Sequence, residues 1–347
     1  MMRPAFLTEH VPLAPYTTLK VGGSARYFAK VTTIAELEES IHFAQNNDLP
    51  VFVLGGGSNV LVPDEGFSGL VVLISIPGRE YSVEETTVTL VCGAGEVFDE
   101  VVAETVALGY WGLENLSHIP GTVGATPVQN VGAYGVEVAD LIISVTVYDC
   151  VLHQVRELTA EDCAFAYRDS LFKQVAGQSL IVLRVTFSLS ITPQPRLTYA
   201  DLEVLKAETD LSVETVRQTI IKIRAAKFPD WHTVGTAGSF FKNPIIPIPQ
   251  AELLQAKYPQ LAVYPVTATT AKVPLGFILD KVCGLRGIRI GNVGLYEAQA
   301  LVLVAYQPVT AAMIDEFADM VVEKVYSTTA ISIEREVQTL NKNSRIK

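Results

Sequence analysis

Short apolar runs and helix-like spacings alternate along the chain and predict a mixed α and β fold. Buried strands are predicted at residues 25–29, 50–53, 70–76, 87–92, 141–149, 180–189 and 301–304. Helices are predicted at residues 34–46, 97–108, 213–226 and 310–327, with a further helix beginning at 272. The run at 331–337 alternates apolar and polar residues and predicts a final strand, which would place Glu334 and Glu336 on one face.

The first strand, helix and strand end in an unusual glycine stretch. Thr33 is a suitable N-cap for the helix, and Leu37, Ile41 and Ala44 fall on its inner face. The next strand then runs into Gly55-Gly56-Gly57-Ser58-Asn59, which we call the glycine loop. Successive glycine N–H groups can form an anion-binding nest, so this loop predicts a site for a nucleotide pyrophosphate. A tight turn between two strands remains the alternative.

A second glycine signal is weaker. The predicted strand at 87–92 is followed by Gly93-Ala94-Gly95-Glu96-Val97-Phe98, which begins like a dinucleotide-binding fingerprint. Phe98 occupies the third glycine position, so we interpret the stretch as a strand-to-helix turn. The glycine loop is also not followed by Gly-Lys-Ser/Thr, which disfavours a P-loop nucleoside triphosphatase.

The longest loop, residues 112–135, is rich in glycine and amides and almost free of charge. Such a loop can lie against a planar ligand and bind it through backbone and amide groups. Long loops inside compact domains are more often functional than idle, although a plain glycine-rich connection is the alternative. We therefore expect residues 119–135 to hold the other side of the ligand that the glycine loop binds.

Composition and charge narrow the function classes. The chain has 347 residues, 49% of them hydrophobic and 18% charged, as expected for a globular protein of two or three domains. Its formal net charge of −11 argues against a general nucleic-acid binder. No apolar run has membrane-spanning length, and the N-terminus does not resemble a signal peptide. Four scattered cysteines predict free thiols in a cytoplasmic protein, without a disulfide framework or a metal site.

Three further stretches carry candidate chemistry. Tyr167-Arg168-Asp169-Ser170 combines charge with an aromatic ring, although a surface turn is the alternative. Gly238-Ser239-Phe240-Phe241-Lys242-Asn243-Pro244 places a serine between a glycine turn and two aromatics, as suits a nucleophile or proton donor. It is not the hydrolase elbow, because Phe241 replaces the second glycine. The third stretch holds Glu334 and Glu336, which would be solvated if they had no function.

Together these motifs resemble the UDP-N-acetylenolpyruvoylglucosamine reductases, a family of flavoenzymes in peptidoglycan precursor synthesis. The resemblance extends over nearly the whole chain, from Thr18-Leu19-x-Val21-Gly22-Gly23 to Glu336-Val337. The uninterrupted Gly-Leu-Glu-Asn-Leu stretch and Leu197-Thr198-Tyr199-Ala200-Asp201-Leu202 resemble the longer of the family's two types, which carries a tyrosine loop over the substrate. Thr17 and Ala200 depart from the usual Asn and Gly of the family.

The resemblance implies an α+β fold of the vanillyl-alcohol-oxidase-like type, in which two FAD-binding subdomains adjoin a substrate-binding domain. We expect the subdomains at residues 1–72 and 73–205 and the substrate domain at 206–347, with the last strand, near 331–347, returning to the first subdomain. The implied reaction transfers hydride from NADPH to FAD and then from flavin N5 to the enolpyruvyl methylene of the sugar nucleotide. We expect a monomer that acts on this small molecule, without nucleic-acid or membrane partners.

By the same resemblance, Ser239 is the proton donor, Arg168 stabilises the developing negative charge, and Glu336 is the essential carboxylate, with Glu334 as its competitor. Substrate contacts are implied for Tyr199, Lys227, Asn243 and Gln299. The implied FAD contacts are Gly55, Gly56, Gly57, Ser58, Asn59, Ile119, Pro120, Gly121, Thr122, Gly124, Ala125, Gln129, Asn130, Gly132, Ala133, Tyr134 and Gly135.

Two rival functions stay open at this point. An FAD-dependent sugar or alcohol oxidase of the same fold would explain the glycine loops, but it gives no reason for Ser239, Arg168 and Glu336 to occur together. A non-catalytic nucleotide-binding module would need no flavin at all. Flavin absorbance in the purified protein separates the second rival from both enzymes.

Overall fold

The computed structural model describes residues 3–340, and its first sheet carries the glycine loop. The elements here are β1 (Thr8–Pro12), β2 (Ser24–Val31), α1 (Ile34–Asn46), β3 (Val51–Leu54), β4 (Val60–Leu61) and β5 (Phe67–Ile74). The sheet order is β1-β2-β5-β3, with β1 antiparallel to β2 and the other pairs parallel. The glycine loop therefore leaves the carboxyl end of β3, a common place for ligand sites in sheets with parallel strands.

Helix α1 forms for the local reasons expected from its sequence. The Thr33 side chain accepts a hydrogen bond from the Glu36 N–H at 3.2 Å, and the Glu36 carboxylate accepts one from the Thr33 N–H in return. This reciprocal pair is a capping box, which satisfies two N–H groups that a helix start otherwise leaves unpaired. Leu37, Ile41 and Ala44 are buried, so the predicted inner face is confirmed.

The second sheet is antiparallel throughout. Its order is β11-β10-β12-β7-β6, with the shorter β8 and β9 forming a hairpin beside it. The turn after β7 leads into α2, as interpreted from the broken fingerprint. The bounds are β6 (Arg79–Glu84), β7 (Thr87–Gly93), α2 (Phe98–Ala107), β8 (Gly132–Ala133), β9 (Val136–Glu137), β10 (Ile142–Asp149), β11 (Gln154–Thr159) and β12 (Leu180–Ser190).

The last third adds two small sheets, β13-β19-β18-β17 and β14-β16-β15. The bounds are α3 (Val213–Lys227), β13 (Gly235–Ser239), β14 (Ile245–Pro247), α4 (Ile248–Lys257), β15 (Tyr264–Pro265), β16 (Thr270–Lys272), α5 (Leu275–Phe277), β17 (Arg289–Ile290), β18 (Val293–Leu295), β19 (Val302–Ala305), α6 (Ala311–Thr329) and β20 (Gln338–Thr339). A π-helical turn, Ile278–Val282, continues α5, so the helix predicted to begin at 272 is short. Strand β20 pairs in parallel with β4 in a separate two-stranded sheet, which returns the chain to the segment just after the glycine loop. Residues 341–347 of the expected last strand lie outside the described residues.

The predicted strand at 331–337 is wrong. Within this segment the described backbone makes one isolated bridge, between Arg335 and Phe241, and regular pairing starts only at Gln338. The Lys242 N–H donates to the Glu334 carbonyl, and the Glu336 N–H donates to the Phe240 carbonyl. These bonds to the residues just after β13 are the local pairing that this segment makes in place of a regular strand.

Helix α3 belongs to the apolar cluster of the second sheet, unlike the elements that follow it in sequence. Val213, Val216 and Ile220 are buried in the same apolar cluster as β7, β10 and β12, together with Leu202 and Leu205. A separate cluster contains β13, β18, β19 and α6. We therefore propose that the boundary between the FAD-binding part and the substrate domain lies after Lys227, later than the expected boundary at 205.

No helix among residues 3–340 combines the length and the apolar character needed to cross a bilayer.

Candidate active site

Two of the three glycines in the glycine loop, Gly56 and Gly57, pack against the backbone of other segments. A Cβ on Gly57 would lie 1.9 Å from the Tyr16 carbonyl oxygen, and its φ of +62° is in the left-handed region. A Cβ on Gly56 would lie 2.6 Å from the Cα of Gly121. Real side chains cannot approach this closely, so glycine is required at both positions.

The glycine loop is tied to the 119–135 loop, as the sequence predicted for two sides of one site. The Ser58 hydroxyl donates to the Pro120 carbonyl at 3.0 Å. The Asn59 amide donates to the Gln129 side-chain oxygen and, at 3.3 Å, to the Glu336 carbonyl. Asn59 therefore connects both loops with the segment that carries the candidate catalytic carboxylate.

The 119–135 loop lies on the turn between β7 and α2. The Phe98 N–H donates to the Gly121 carbonyl at 3.1 Å, and the Gly124 N–H donates to the Ala94 carbonyl at 2.9 Å. Gly124 is closely packed, because a Cβ there would lie 2.6 Å from the Ala94 Cβ. The broken fingerprint at residues 93–98 therefore holds the 119–135 loop in place by backbone hydrogen bonds.

A cavity of about 80 Å³ lies where Gly55 and the 119–135 loop meet strands β3, β5 and β12. Thr122 lines it, and the Thr122 hydroxyl is buried without a hydrogen-bond partner among the described residues. Such a group costs free energy unless a ligand or water pairs with it. The lining is otherwise apolar or backbone: Val53, Gly55, Ile74, Ala94, Gly124, Ala125, Leu180, Ile181 and Val182.

Several other residues that were predicted to contact FAD make hydrogen bonds or turns within the protein instead. The Asn130 amide nitrogen donates to Glu137 at 2.6 Å and to the Ala166 carbonyl at 3.0 Å, while its oxygen accepts from the Ala139 N–H. Gly132 and Ala133 form β8 of the hairpin. Tyr134 and Gly135 form its turn, with φ values of +49° and +82°. We infer that Asn130 shapes the loop, because its side-chain amide already has partners at both ends.

The structure joins two candidate catalytic residues directly. Arg168 Nε lies 3.1 Å from Glu336 Oε1. The same guanidinium donates to the Gly132 carbonyl at 2.7 Å, which links it to the 119–135 loop. Arg168 has a φ of +55°, a strained conformation for a residue other than glycine. Strain of this kind is common at functional sites, where the surrounding contacts hold it.

Glu336 lies among three cations. Burial raises the pKa of its carboxyl, and the charges of Arg168, Lys173 and Lys242 act against that rise. Burial, with the nearby charge of Lys242, lowers the pKa of Lys173. We call Arg168, Lys173, Lys242 and Glu336 the cationic pocket: three cations around one largely enclosed acid, which suits the binding of an anionic group.

Ser239 ends β13 beside this pocket. Its neighbour Phe240 accepts the Glu336 N–H at 2.8 Å, so the two segments lie side by side. Gly238 precedes Ser239 with a φ of +69° and open space around its Cβ position. Arg168, Ser239 and Glu336 thus fall in one region of the fold, although 71 and 97 positions separate them along the sequence.

The competitor Glu334 has a different environment. Its side chain is 77% exposed and lies 3.3 Å from Lys242, whereas the Glu336 side chain is 13% exposed. The two carboxylates therefore differ in exposure, although Lys242 acts on both of them. We infer that Glu336, rather than Glu334, is the carboxylate of the pocket.

The substrate candidates form two groups. Lys227 pairs with Asp201 and lies 5.8 Å from the centre of the Tyr199 ring, which itself packs edge-on against Tyr134 at 5.2 Å. Asn243 forms the second group with Gln299. Its amide nitrogen lies 3.4 Å from the Tyr167 hydroxyl, and its oxygen accepts the N–H of Leu275. A Cβ on the next residue, Gly276, would lie 3.1 Å from Gln299 Oε1, so both amides adjoin the start of α5.

Comparison with known proteins decides the family. A family model of an FAD-binding domain matches residues 25–151, and the model for the C-terminal domain of UDP-N-acetylenolpyruvoylglucosamine reductase matches residues 230–340. The reductase of Ralstonia nicotianae is 39% identical over 339 residues, covering 96% of this chain and 98% of that protein. The chain belongs to the UDP-N-acetylenolpyruvoylglucosamine reductase family.

Other members give the same result. The reductase of Pseudomonas aeruginosa is 39% identical over 334 residues, covering 95% of this chain and 98% of that protein. The crystal structure of the Thermus caldophilus reductase matches with a TM-score of 0.68 and 26% identity, covering 97% of this chain and all of that one. These matches confirm the α+β, vanillyl-alcohol-oxidase-like fold and FAD as the cofactor of this reductase family member.

The residues present fit FAD. Gly55 and Gly56 let the two loops pack closely together, and Thr122, whose buried hydroxyl is unpaired among the described residues, lines the cavity. Several lining residues were missed from the sequence, namely Val53, Ile74, Ala94, Leu180, Ile181 and Val182. They are strand ends and turn residues that look like ordinary core, so only the arrangement of the strands could identify them.

Two lysines of the pocket were also missed. Lys242 lies inside the motif that contains Ser239, where a nearby lysine was expected to stabilise the serine alkoxide, but it was not predicted as a site residue. Lys173 follows the motif that contains Arg168 and was assigned no role. Their positions relative to those residues, five after Arg168 and three after Ser239, were the available signal. Lys272 lies 4.5 Å from the centre of the Tyr167 ring and adds a fourth cation to this side.

Proposed function

We propose that this chain reduces UDP-N-acetylglucosamine enolpyruvate to UDP-N-acetylmuramate, with NADPH as reductant and FAD as cofactor, in peptidoglycan precursor synthesis. The observation that carries the proposal is the Arg168–Glu336 pair in a cationic pocket beside Ser239. Family membership supports the reaction. The residue roles below are our assignment from the geometry and from the family resemblance.

FAD, when bound, supplies the two-electron chemistry, accepting hydride from NADPH and passing it to the enolpyruvyl methylene carbon. The glycine loop and the 119–135 loop are proposed to hold it. Backbone N–H groups of the glycine loop suit a diphosphate, and the Thr122 hydroxyl supplies a polar contact in an otherwise apolar wall.

Hydride addition to the methylene leaves negative charge on the adjacent carbon, spread into the substrate carboxylate. Arg168 is proposed to stabilise this charge, because a guanidinium stays protonated and binds carboxylates strongly. Lys173 and Lys242 add positive charge on the same side. Fixed charges that are already in place lower the barrier without reorganisation during the reaction.

Ser239 is proposed to donate the proton that completes the reduction. A hydroxyl is a weak acid, but the carbanion is a strong base, and the nearby Lys242 can stabilise the alkoxide that remains until solvent reprotonates it. Glu336, whose pKa burial raises, is proposed to polarise the same intermediate while it orients Arg168. One hydride and one proton then account for the product.

Lys227 and Tyr199 are proposed to bind the diphosphate side of the sugar nucleotide. In the structure Lys227 pairs with Asp201, so on substrate binding the diphosphate would replace Asp201 as the negative partner of Lys227. Asn243 and Gln299 are proposed to bind the substrate near α5. We further propose a cytoplasmic monomer without nucleic-acid partners, supported by four cysteines free of disulfides and the net charge of −11.

An anaerobic titration tests the proposed function. We expect the purified protein to show flavin absorbance, to bleach on addition of NADPH, and to regain its colour when UDP-N-acetylglucosamine enolpyruvate is added without oxygen. A sugar or alcohol oxidase would instead be reduced by its own sugar or alcohol and reoxidised by oxygen. Failure of the enolpyruvyl substrate to restore the absorbance would contradict the proposal.

A further inference from the structure

We propose that Asp99 and Arg217 are positioning residues that hold the 119–135 loop for FAD through the peptide groups of His118. The inference rests on the cofactor role proposed above for that loop. It assigns a function to an ion pair that touches neither the pocket around Arg168 nor the glycine loop.

Asp99 connects helix α3 to the start of the loop. Arg217 donates to both carboxylate oxygens of Asp99, at 2.7 and 3.2 Å. Asp99 Oδ1 also accepts the N–H of His118 at 2.5 Å. Arg217 is only 9% exposed, and its charge and the His118 N–H lower the pKa of Asp99 against the effect of burial. The carboxylate is therefore ionised at neutral pH and hydrogen-bonded to both groups, while the His118 Nδ1 lies at a longer distance of 4.0 Å from Oδ2.

The same helix holds the other side of His118. Arg224, seven residues after Arg217 and so on the same face of α3, donates from Nε to the His118 carbonyl at 3.1 Å. His118 has a φ of +61°, in the left-handed region that residues other than glycine seldom adopt. A strained residue whose N–H and carbonyl are both held by charged groups is fixed by its surroundings.

The position of His118 explains what this arrangement does. The loop starts one residue later, and Gly121 and Thr122 follow within a single turn of chain. Phe98, next to Asp99, donates its N–H to the Gly121 carbonyl, so the start of α2 fixes the loop at two points. Loss of the Asp99 anchor would let Thr122 and the backbone around it shift, while Gly55 and Gly57 stay in place.

The test measures FAD binding rather than turnover. Arg217→Ala, Arg217→Lys and Asp99→Asn are compared with the wild type by titrating apoprotein with FAD. All titrations are run well below the melting temperature of the variant. Arg156→Ala is the matched control, since Arg156 forms an ion pair with Asp149 far along the second sheet, at the β10–β11 hairpin.

We expect the Kd for FAD to rise at least ~10-fold in Arg217→Ala and to recover partly in Arg217→Lys, which keeps the charge but loses the two-pronged contact. The Kd of Asp99→Asn should lie between those of the two Arg217 variants, because the amide oxygen can still accept a hydrogen bond from the His118 N–H. The control should bind FAD like the wild type. A purely structural ion pair would lower the melting temperature of the apoprotein and leave the Kd unchanged, and this result would overturn the proposal.

His118→Gly separates backbone from side chain. Glycine adopts a positive φ without strain and keeps both peptide groups, so FAD affinity should stay within ~3-fold of the wild type. A loss as large as that of Arg217→Ala would show that the imidazole, not the peptide, is the contact. If the wild type itself failed to bind FAD, the proposed function would fail. Normal FAD binding by every variant would refute only the positioning role.

Discussion

Glu336→Gln should lower activity strongly while leaving the apoprotein as stable as the wild type, or more so, at neutral pH. Glutamine has nearly the same shape, and its side-chain oxygen can still accept the hydrogen bond from Arg168 that spans 3.1 Å in the wild type. The substitution therefore removes charge without opening a cavity. It separates the catalytic role of the carboxylate from its contribution to the fold.

The magnitudes follow from the surroundings of Glu336. Replacing a charged acceptor by a neutral one costs about 1 kcal/mol of hydrogen-bond energy. Against this, burial raises the folded-state pKa of Glu336 despite Arg168, Lys173 and Lys242, so its ionised form is unfavourable in the fold. A residue that polarises the reaction intermediate commonly contributes on the order of 100-fold to the rate, or about 2.7 kcal/mol. Activity should therefore fall far more than stability.

The pH dependence of the free energy of unfolding shows whether ionised Glu336 stabilises or destabilises the fold. With its pKa raised on folding, Glu336 binds protons more tightly in the folded state, so its ionisation lowers wild-type stability as pH rises above the unfolded value near 4.5. The variant lacks this dependence. Denaturant unfolding of both apoproteins between pH 4 and 8 should show that the free energy of unfolding of the variant rises relative to that of the wild type as pH rises. Steady-state kinetics of the two proteins measure the loss of activity. Glu334→Gln, at an exposed neighbour, is the matched control for activity.

Two results would refute this reasoning. If Glu336→Gln turned over substrate at a near wild-type rate, the carboxylate would have no part in the chemistry. If the variant instead lost stability progressively as pH rose, relative to the wild type, the ion pair with Arg168 would outweigh the burial of Glu336.

Three further predictions concern the remaining parts of the site. Gly57→Ala should destabilise the fold by at least about 2 kcal/mol in denaturant unfolding, because its Cβ would meet the Tyr16 carbonyl at a positive φ, and a wild-type midpoint would contradict this. Thr122→Val should bind FAD at least ~5-fold more weakly in apoprotein titration, and unchanged affinity would mean that water pairs with the hydroxyl. Lys227→Met should raise KM for the sugar nucleotide at least ~10-fold with little change in kcat. Lys222→Met, on the exposed face of the same helix, should leave KM unchanged, and equal effects of the two would remove Lys227 from the site.

Local signals in the sequence were sufficient for most elements. The Thr33 cap and the spacing of Leu37, Ile41 and Ala44 gave α1, because capping and burial are decided within a few residues. The final segment shows the limit of such signals. Its alternation predicted a strand, but its backbone pairs only locally, with the residues just after β13. The Glu334 side chain is exposed and that of Glu336 is largely enclosed, a difference that depends on tertiary packing.

The candidate site divides in the same way. The glycine loop was visible because close backbone packing demands glycine. The sequence did not show the contact of Arg168 with Glu336 or the contribution of Lys173. Residues 168, 173 and 336 meet only when the second sheet and the last third pack together. The family resemblance supplied the catalytic candidates, and the geometry supplied a physical reason for choosing Glu336 over Glu334.

Ser239→Ala tests the central claim most directly, because the account assigns Ser239 to one half of the reaction only. The variant should bind FAD and bleach with NADPH at a rate close to that of the wild type. The reduced variant, mixed anaerobically with UDP-N-acetylglucosamine enolpyruvate, should then reoxidise on the order of 100-fold more slowly or worse. Reoxidation at the wild-type rate would contradict the assignment of Ser239 as proton donor and, with it, the proposed organisation of the pocket.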